Sequence, residues 1–324
     1  MTRRNWMVAS VLCGCGGGKG TGEAEVRIAY TEGSWAGLPL RLADTLGYFR
    51  EAGIRIAPAI FPGTSKAMEA LLGGSIDAGS VLEHALQLAV EGRPTPGFVT
   101  QLLGPTSPLV VSPKASKHIQ SVADLGGATV GVASIGSQTH MIGNYLLESH
   151  GLRPDQVSTV SIGIGAASLA SLERGMVDAG FVSYGGYILL KRKYPALKAL
   201  FDPVSSKEYR YPTAVLCART QWLAGNPDTA RRIVRAMRRA LRYVHAKPAE
   251  QIIQHVPSDI RSPDASVDLE ALGGLIPLYS TDGTFPDAGF ELLKRIAGAS
   301  LENVRTARIG PHDVYTNEFV TEAR

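Results

Sequence analysis

Four short polar segments carry residue types suited to gripping a small solute. They are Gly33-Ser34-Trp35, Gly79-Ser80, Gly136-Ser137-Gln138-Thr139 and Ser183-Tyr184-Gly185-Gly186. Glycine lets a backbone approach a ligand closely. Serine, threonine and glutamine side chains offer neutral hydrogen bonds. Where such a segment opens a helix, bare N–H groups and the helix dipole add partial positive charge, which suits an anion without an arginine. Gly136 to Thr139 fits that description best, with Ser137, Gln138 and Thr139 as contacts; Ser137 can also cap its helix, and the two roles are compatible. Ser34, Gly79 and Ser80 face it from the other half of the chain. Trp35 and Tyr184 can flank a planar ligand or pack at a cleft edge. His140, in the first turn of the same helix, reads as structural.

The elements that position these segments repeat. Leu71-Leu72-Gly73-Gly74-Ser75-Ile76-Asp77-Ala78-Gly79 recurs as Leu172-Glu173-Arg174-Gly175-Met176-Val177-Asp178-Ala179-Gly180. Each copy reads as a helix end, a glycine stop and a short buried strand. Around the first copy, Val26 to Tyr30 alternates like a strand. A helix starts near Leu38 with Leu42, Leu46 and Phe49 on one stripe, ending at Gly53, and Ile54 to Pro58 is a second strand. Strands over Phe98–Leu103 and Leu109–Ser112 follow. The pattern then restarts with a strand over Thr129–Val132, a helix over Thr139–His150, a strand over Val157–Ser161 and a helix over Ala167–Arg174. Val215 to Ala218 returns the chain to the first half. Two such α/β units predict two lobes with a ligand cleft beyond the carboxyl ends of their strands.

Composition narrows the classes. The net charge is only +4, and Arg3 and Arg4 account for half of it, so nucleic acid is not an expected partner. No metal-ligand spacing and no phosphate-binding Gly-rich loop occurs; Gly16-Gly17-Gly18-Lys19 lacks a preceding strand. No cofactor is expected. Cys217 lies inside the apolar run Ala214 to Ala218 and reads as a buried small residue, poorly placed as a nucleophile. The strongest helix spans Asp228–His245. Ile233, Val234, Met237, Leu241 and Val244 form its apolar stripe, and Arg231, Arg235, Arg238 and Arg242 form a face for solvent, lipid headgroups or a membrane partner.

The start of the chain reads as an export leader. Arg3-Arg4 precedes the apolar Trp6 to Leu12, and Leu12-Cys13-Gly14-Cys15 resembles a bacterial lipobox with Cys15 as the lipidated residue. Thr2 to Met7 also resembles a twin-arginine signal. Residues 1–15 are then a signal peptide and 16–23 a tether.

Leu46-Gly47-Tyr48-Phe49-Arg50-Glu51-Ala52-Gly53-Ile54 is similar to the Gly-Tyr-Phe segment of solute-binding proteins of the nitrate/sulfonate/taurine and thiamine-pyrimidine class. The two Gly-x-(Ile/Val)-Asp-Ala segments match as well. So does Asp124-Leu125-Gly126-Gly127-Ala128-Thr129-Val130-Gly131-Val132, and Leu147-Glu148-Ser149-His150-Gly151-Leu152 resembles the family's Leu-x-x-x-Gly-Leu stop. The resemblance covers residues 25–225. It implies a two-lobed type II periplasmic-binding α/β fold, each lobe a mixed, mainly parallel sheet flanked by helices. Residues 24–111 and 213–324 are expected in lobe 1 and 112–212 in lobe 2, with hinges near Ser112 and Pro212. It further implies a monomer, anchored to the membrane by lipid, that closes on a small-molecule ligand and docks on an ABC permease. The cleft loops lack an obvious arginine clamp, which favours a monoanion, a zwitterion or a neutral aromatic such as a pyrimidine. An enzyme is not expected. The family's rival branches are pyrimidine synthases, sulfinate-cleaving enzymes and sensing modules without transport; the first two use cysteine-bearing sites.

Overall fold

The structure is a computed structural model that describes residues 23–61 and 63–322. The leader, with Cys15 and nearly all of the tether, lies outside the described residues. The chain builds β1 (Ala24–Thr31), α1 (Leu38–Thr45), α2 (Tyr48–Glu51), β2 (Ile54–Phe61), α3 (Thr64–Leu72), β3 (Ala78–Ser80), α4 (Leu82–Val90) and β4 (Gly97–Thr100). It continues through β5 (Leu109–Val111), β6 (Thr129–Val132), α5 (Gln138–Ser149), β7 (Ser158–Ser161), α6 (Ala166–Arg174), β8 (Ala179–Phe181), α7 (Tyr184–Lys193) and β9 (Ala199–Phe201). It returns with β10 (Val215–Ala218) and closes with α8 (Thr220–Gly225), α9 (Pro227–Ala246), α10 (Ala249–Ile253), α11 (Ala265–Leu275), α12 (Phe290–Gly298), α13 (Glu302–Thr306) and α14 (Glu318–Glu322).

Two five-stranded sheets result, ordered β2-β1-β3-β10-β4 and β7-β6-β8-β5-β9. In each, the first three strands are parallel and the fourth is antiparallel to the third. The expected two-lobe build is therefore present. One boundary differs: β5 is hydrogen-bonded to β8 and β9, so the strand expected at the end of lobe 1 belongs to the second sheet. The first crossing lies between β4 and β5, upstream of Ser112. An apolar run such as Leu109-Val110-Val111 does not encode which sheet it joins.

The repeated segments are superposable in role. Gly74 and Gly175 both adopt left-handed φ, 77° and 72°, where a side chain would strain the turn. Leu71 and Leu172 are fully buried. Asp77 N–H donates to the Arg27 carbonyl at 2.8 Å, and its carboxylate accepts the Arg27 N–H at 2.9 Å. Asp178 does the same with Thr129, at 2.8 and 2.9 Å, and also accepts from the Ser116 N–H and hydroxyl at 3.0 and 2.7 Å. Each aspartate thus pins its short strand, the middle one of its sheet, to the parallel neighbour β1 or β6. Burial resists ionisation of Asp178, but the hydrogen bonds from Thr129 and Ser116 outweigh it and hold its pKa below the usual carboxylate value.

The helix expected to run from Leu38 to Gly53 is broken. Gly47 adopts φ 74°, which ends α1 and starts the short α2. Two helices were not legible in the sequence, α4 and α7, because both start directly after a repeated strand. In α9, the apolar stripe is buried in the first-lobe core as expected. Its arginines mostly tie neighbouring elements together. Arg231 pairs with Asp228 and Glu322, Arg232 donates to the Gly53 carbonyl at 3.0 Å, and Arg239 pairs with Glu51 and lies over the Tyr48 ring. Arg238 donates to the Val320 carbonyl at 3.4 Å, and Arg235 and Arg242 remain exposed.

The C-terminal pair α12–α13 packs against α4 of the first lobe and also against α5 of the second. Phe290, Leu293 and Ile296 join one continuous apolar cluster that includes Leu86 from the first lobe and Met141 from the second. Asn144 on α5 donates to Ser300 Oγ at 2.9 Å, and Arg305 pairs with Glu148 at 2.9 Å. This pair straps the lobes together beside the two chain crossings.

Two outcomes follow from these contacts. Asp178→Ala should cost roughly 3 kcal/mol in urea unfolding, since it removes a carboxylate with three hydrogen bonds. Because that pKa is depressed in the fold, the stabilisation is present above the unfolded value and is lost as pH falls through the folded one; the difference between wild type and variant should shrink below about pH 4. The double variant Ser300→Ala, Arg305→Ala removes two strap contacts worth together about 1–2 kcal/mol. It should enlarge the ligand-free radius of gyration in small-angle scattering and lower the melting midpoint by only a few degrees.

Candidate functional site

A cavity of about 80 Å³ lies between the lobes, sized for a small solute. The C-terminal ends of β1 and β3 reach it through Tyr30, Thr31 and Ser80. Helix starts reach it from both sides: Leu40 and Arg41 of α1, Gly63 and Thr64 at α3, Glu83 of α4, and Ser137, Gln138 and Thr139 at α5. Ile164, just before α6, and the crossing residues Thr106, Ser107, Thr213 and Ala214 complete the wall. Parallel strands place all these helix starts at one edge of each sheet, so their unpaired N–H groups and dipoles converge there.

Five of the eight expected contacts are brought together: Ser34, Ser80, Ser137, Gln138 and Thr139. Ser137 does not cap α5. Its hydroxyl instead accepts from the Ser134 N–H at 3.3 Å and lies 2.9 Å from Thr139 Oγ1. Thr139 Oγ1 also accepts from the Ala133 N–H at 2.9 Å. The first turn of α5 is therefore left without a side-chain acceptor. The loop before it differs from expectation, because its amides are already used. The Ile135 N–H donates to Ser161 Oγ at 3.1 Å and the Gly136 N–H to His140 Nδ1 at 2.9 Å. His140 is thus structural, as its position suggested, and burial lowers its pKa.

Three expected contacts lie elsewhere. Ser34 starts a 3-10 turn over Trp35–Gly37, and that turn drives Trp35 into the first-lobe core, where it is 2% exposed. Its carbonyl accepts from the Tyr279 hydroxyl at 2.7 Å, and its indole nitrogen lies close enough to α7 that a Cβ on Gly185 would sit 3.8 Å away. Gly79 is buried inside β3 opposite Cys217, where a Cβ would come within 3.1 Å of Ala29. Tyr184 packs edge-on against Tyr187 and beside Gly274 on α11. These residues hold the lobes and sheets in place; a sequence pattern marks the loop but not which way its aromatic turns.

The structure adds residues that the sequence reading missed. Arg41 is in the wall, so an arginine is present after all. Asp259 engages it bidentately at 3.0 and 2.6 Å, and its guanidinium lies 4.6 Å from the Tyr30 ring centroid. Thr64 Oγ1 is enclosed and has no hydrogen-bond partner among the described residues. The largest omission is Glu83. It is 1% exposed, and Oε1 accepts from Gln138 Nε2 at 2.8 Å, a hydrogen bond from one lobe to the other. Burial pushes its carboxyl up to about 7, and the bonds from its own backbone N–H and from Gln138 only partly oppose this. The available signal was a carboxylate inside the apolar run Val81-Leu82-Glu83-His84-Ala85-Leu86. The lobes also meet where Ser65 Oγ lies 3.4 Å from Ser134 Oγ.

Two lobes, each with this strand order, joined by two crossings around a cleft, are the type II periplasmic-binding architecture. Residues 37–251, more than half of the chain, match the family described as NMT1/THI5 like, and the chain belongs to that family. A protein of Bordetella bronchiseptica RB50 of known structure is 29% identical with a TM-score of 0.86, over 93% of this chain and 96% of that one. The periplasmic aliphatic sulphonate binding protein SsuA from Escherichia coli shares the fold, with 20% identity and a TM-score of 0.66 over 91% and 99% of the two chains. The 4-amino-5-hydroxymethyl-2-methylpyrimidine phosphate synthase THI13 of Saccharomyces cerevisiae is 26% identical over 225 residues, 66% of this chain. The match spans 64% of the yeast protein's length.

The raised Glu83 pKa has a measurable consequence. A carboxyl whose pKa is higher folded than unfolded costs stability as pH rises from the unfolded value through the folded one, here from about 4.5 to about 7. The ligand-free protein should lose on the order of 3 kcal/mol over that window. Glu83→Gln should flatten that part of the profile in chemical unfolding followed from about pH 4.5 to pH 8.

Proposed function

We propose that this chain is the exported solute receptor of an ATP-driven importer, tethered by lipid at Cys15 and acting as a monomer. It closes its lobes on one small polar solute and presents the closed form to a membrane permease. The observation that carries this reading is the interlobe cavity itself. Helix starts from both lobes, the hydroxyls of Thr64, Ser80, Ser137 and Thr139, and the cross-lobe bond from Gln138 to Glu83 all meet there. Such a site is assembled only when the lobes come together, so the ligand's differential affinity for the closed state drives closure. The ligand class is a small organic or inorganic anion, a zwitterion, or a pyrimidine-like ring. A structural neighbour that binds aliphatic sulphonates and a sequence relative that makes a pyrimidine phosphate support it.

Catalysis is the second reading, favoured by the identity shared with the yeast synthase. The binding reading is preferred here because Cys217, the free thiol among the described residues, is buried in β10 and pushed up to about 12 by burial. A thiol in that state is not a nucleophile near neutral pH.

A thermal-shift screen over sulfonates, nitrate, taurine, aromatic carboxylates and pyrimidines tests the reading. A true ligand at about 100 times its Kd adds roughly 2.7 kcal/mol to the native state and should raise Tm by several degrees. Ser137→Leu, which fills the cavity from α5, should abolish the shift. Consumption of the ligand during incubation would favour the enzyme instead.

A further inference from the structure

Resting on that receptor reading, we infer that Glu83 is the specificity-determining residue of the cleft, and that the solute presents an N–H-donating nitrogen to it, an ammonium or an amino group on a heteroaromatic ring.

The argument begins with what surrounds the carboxyl. Glu83 is almost wholly inside the protein yet forms part of the cavity wall. Oε1 accepts from Gln138, the carboxyl takes a further hydrogen bond from its own backbone N–H, and no second side chain donates to it among the described residues. A buried carboxylate is retained only when something compensates its charge. The protein groups around it do not. On its own helix, His84 is held toward the neutral form by burial. Against it from the returning crossing and β10, the Tyr211 hydroxyl and the Cys217 thiol are held neutral in the same way. From α5 comes Gln138, an uncharged amide. Arg41, the cation in the cavity wall, is committed to Asp259 through both terminal nitrogens. Left to these neighbours the carboxyl takes up a proton near neutral pH; a positive charge or a further N–H donor on the bound solute keeps it ionised.

The opposite wall has the complementary chemistry. The first turn of α5 has no side-chain cap and offers backbone N–H groups beside the hydroxyls of Ser137 and Thr139. A solute with a donor nitrogen at one end and an anionic or acceptor group at the other satisfies both walls at once. A simple anion satisfies only one and sets its charge against Glu83. Ionisation gives a second signature. A cationic nitrogen favours the Glu83 carboxylate, so binding below about pH 7 releases a proton to the buffer.

The test uses matched pairs that differ only in the nitrogen: taurine against ethanesulfonate, β-alanine against propionate, and 4-aminopyrimidine against pyrimidine. Each is titrated calorimetrically into the wild-type protein and Glu83→Gln, at about pH 6 in two buffers of different ionisation enthalpy and again at about pH 8. Glu83→Gln keeps the acceptor oxygen for Gln138, so lobe closure survives while the charge is lost; its melting curve verifies folding. In the wild type, one amino member should bind at least tenfold more tightly than its partner. An ammonium solute should release a proton at the lower pH, whereas an uncharged aminopyrimidine should not, which tells the two nitrogen sources apart. In Glu83→Gln the preference should collapse to within about threefold. Equal binding of an amino solute and its partner in the wild type, or a preference that survives in Glu83→Gln, overturns the assignment. If such an indifferent solute is still lost in Ser137→Leu, the receptor reading stands and only the role of Glu83 falls. If no member of any pair binds, both fall.

Discussion

Everything at the cleft depends on two aspartates that never touch it. Asp77 and Asp178 each close a two-way backbone clasp on the parallel strand next to their own, β1 and β6, through Arg27 and Thr129. That clasp fixes the register of β3 on β1 and of β8 on β6, with side chains on the intended faces. It also decides where each strand ends, and hence where Ser80 and the start of α4 fall. The charge on the carboxylate strengthens every bond it accepts, which an uncharged side chain at that position would not. The repeated motif, read in isolation, invites a functional interpretation of its acid. Its actual role is to hold the frame.

The site assembled on that frame is an electrostatic compromise. Helix starts from both lobes favour negative charge in the space between them. Glu83, in the first turn of α4, contributes some of that charge from the protein itself, in a place where water cannot stabilise it. Gln138 reaches it only from the other lobe, so the same hydrogen bond senses closure and shields the carboxyl. In the proposed receptor, ligand recognition and lobe movement therefore share one atom pair.

How much of this was legible follows from what periodicity can and cannot encode. The alternation in β1, the glycine stops and the stripe on α9 were readable because each is a local pattern with a physical period. Strand β5 was assigned to the wrong sheet because its three residues are apolar on both faces and carry no register. Helices α4 and α7 were hidden because only one or two residues separate each from the strand before it, and Glu83 was hidden with α4. Ser137, Gln138 and Thr139 were legible since a glycine followed by small polar residues at a helix start has few other uses. Trp35 and Tyr184 were misplaced since the direction of an aromatic at a loop depends on partners from distant parts of the chain, Tyr279 in one case and α11 in the other.

The bridge that α12 and α13 make between α4 and α5 changes how the two halves can separate. A pair of leaves joined only by two crossing strands swings freely about them. Here one flank is stitched as well, so the mouth opens on the far side, and in the proposed receptor the seam slows departure of a solute it never meets. Residence time in such a receptor depends on Ser300 and Arg305 as well as on the contacts that recognise the solute.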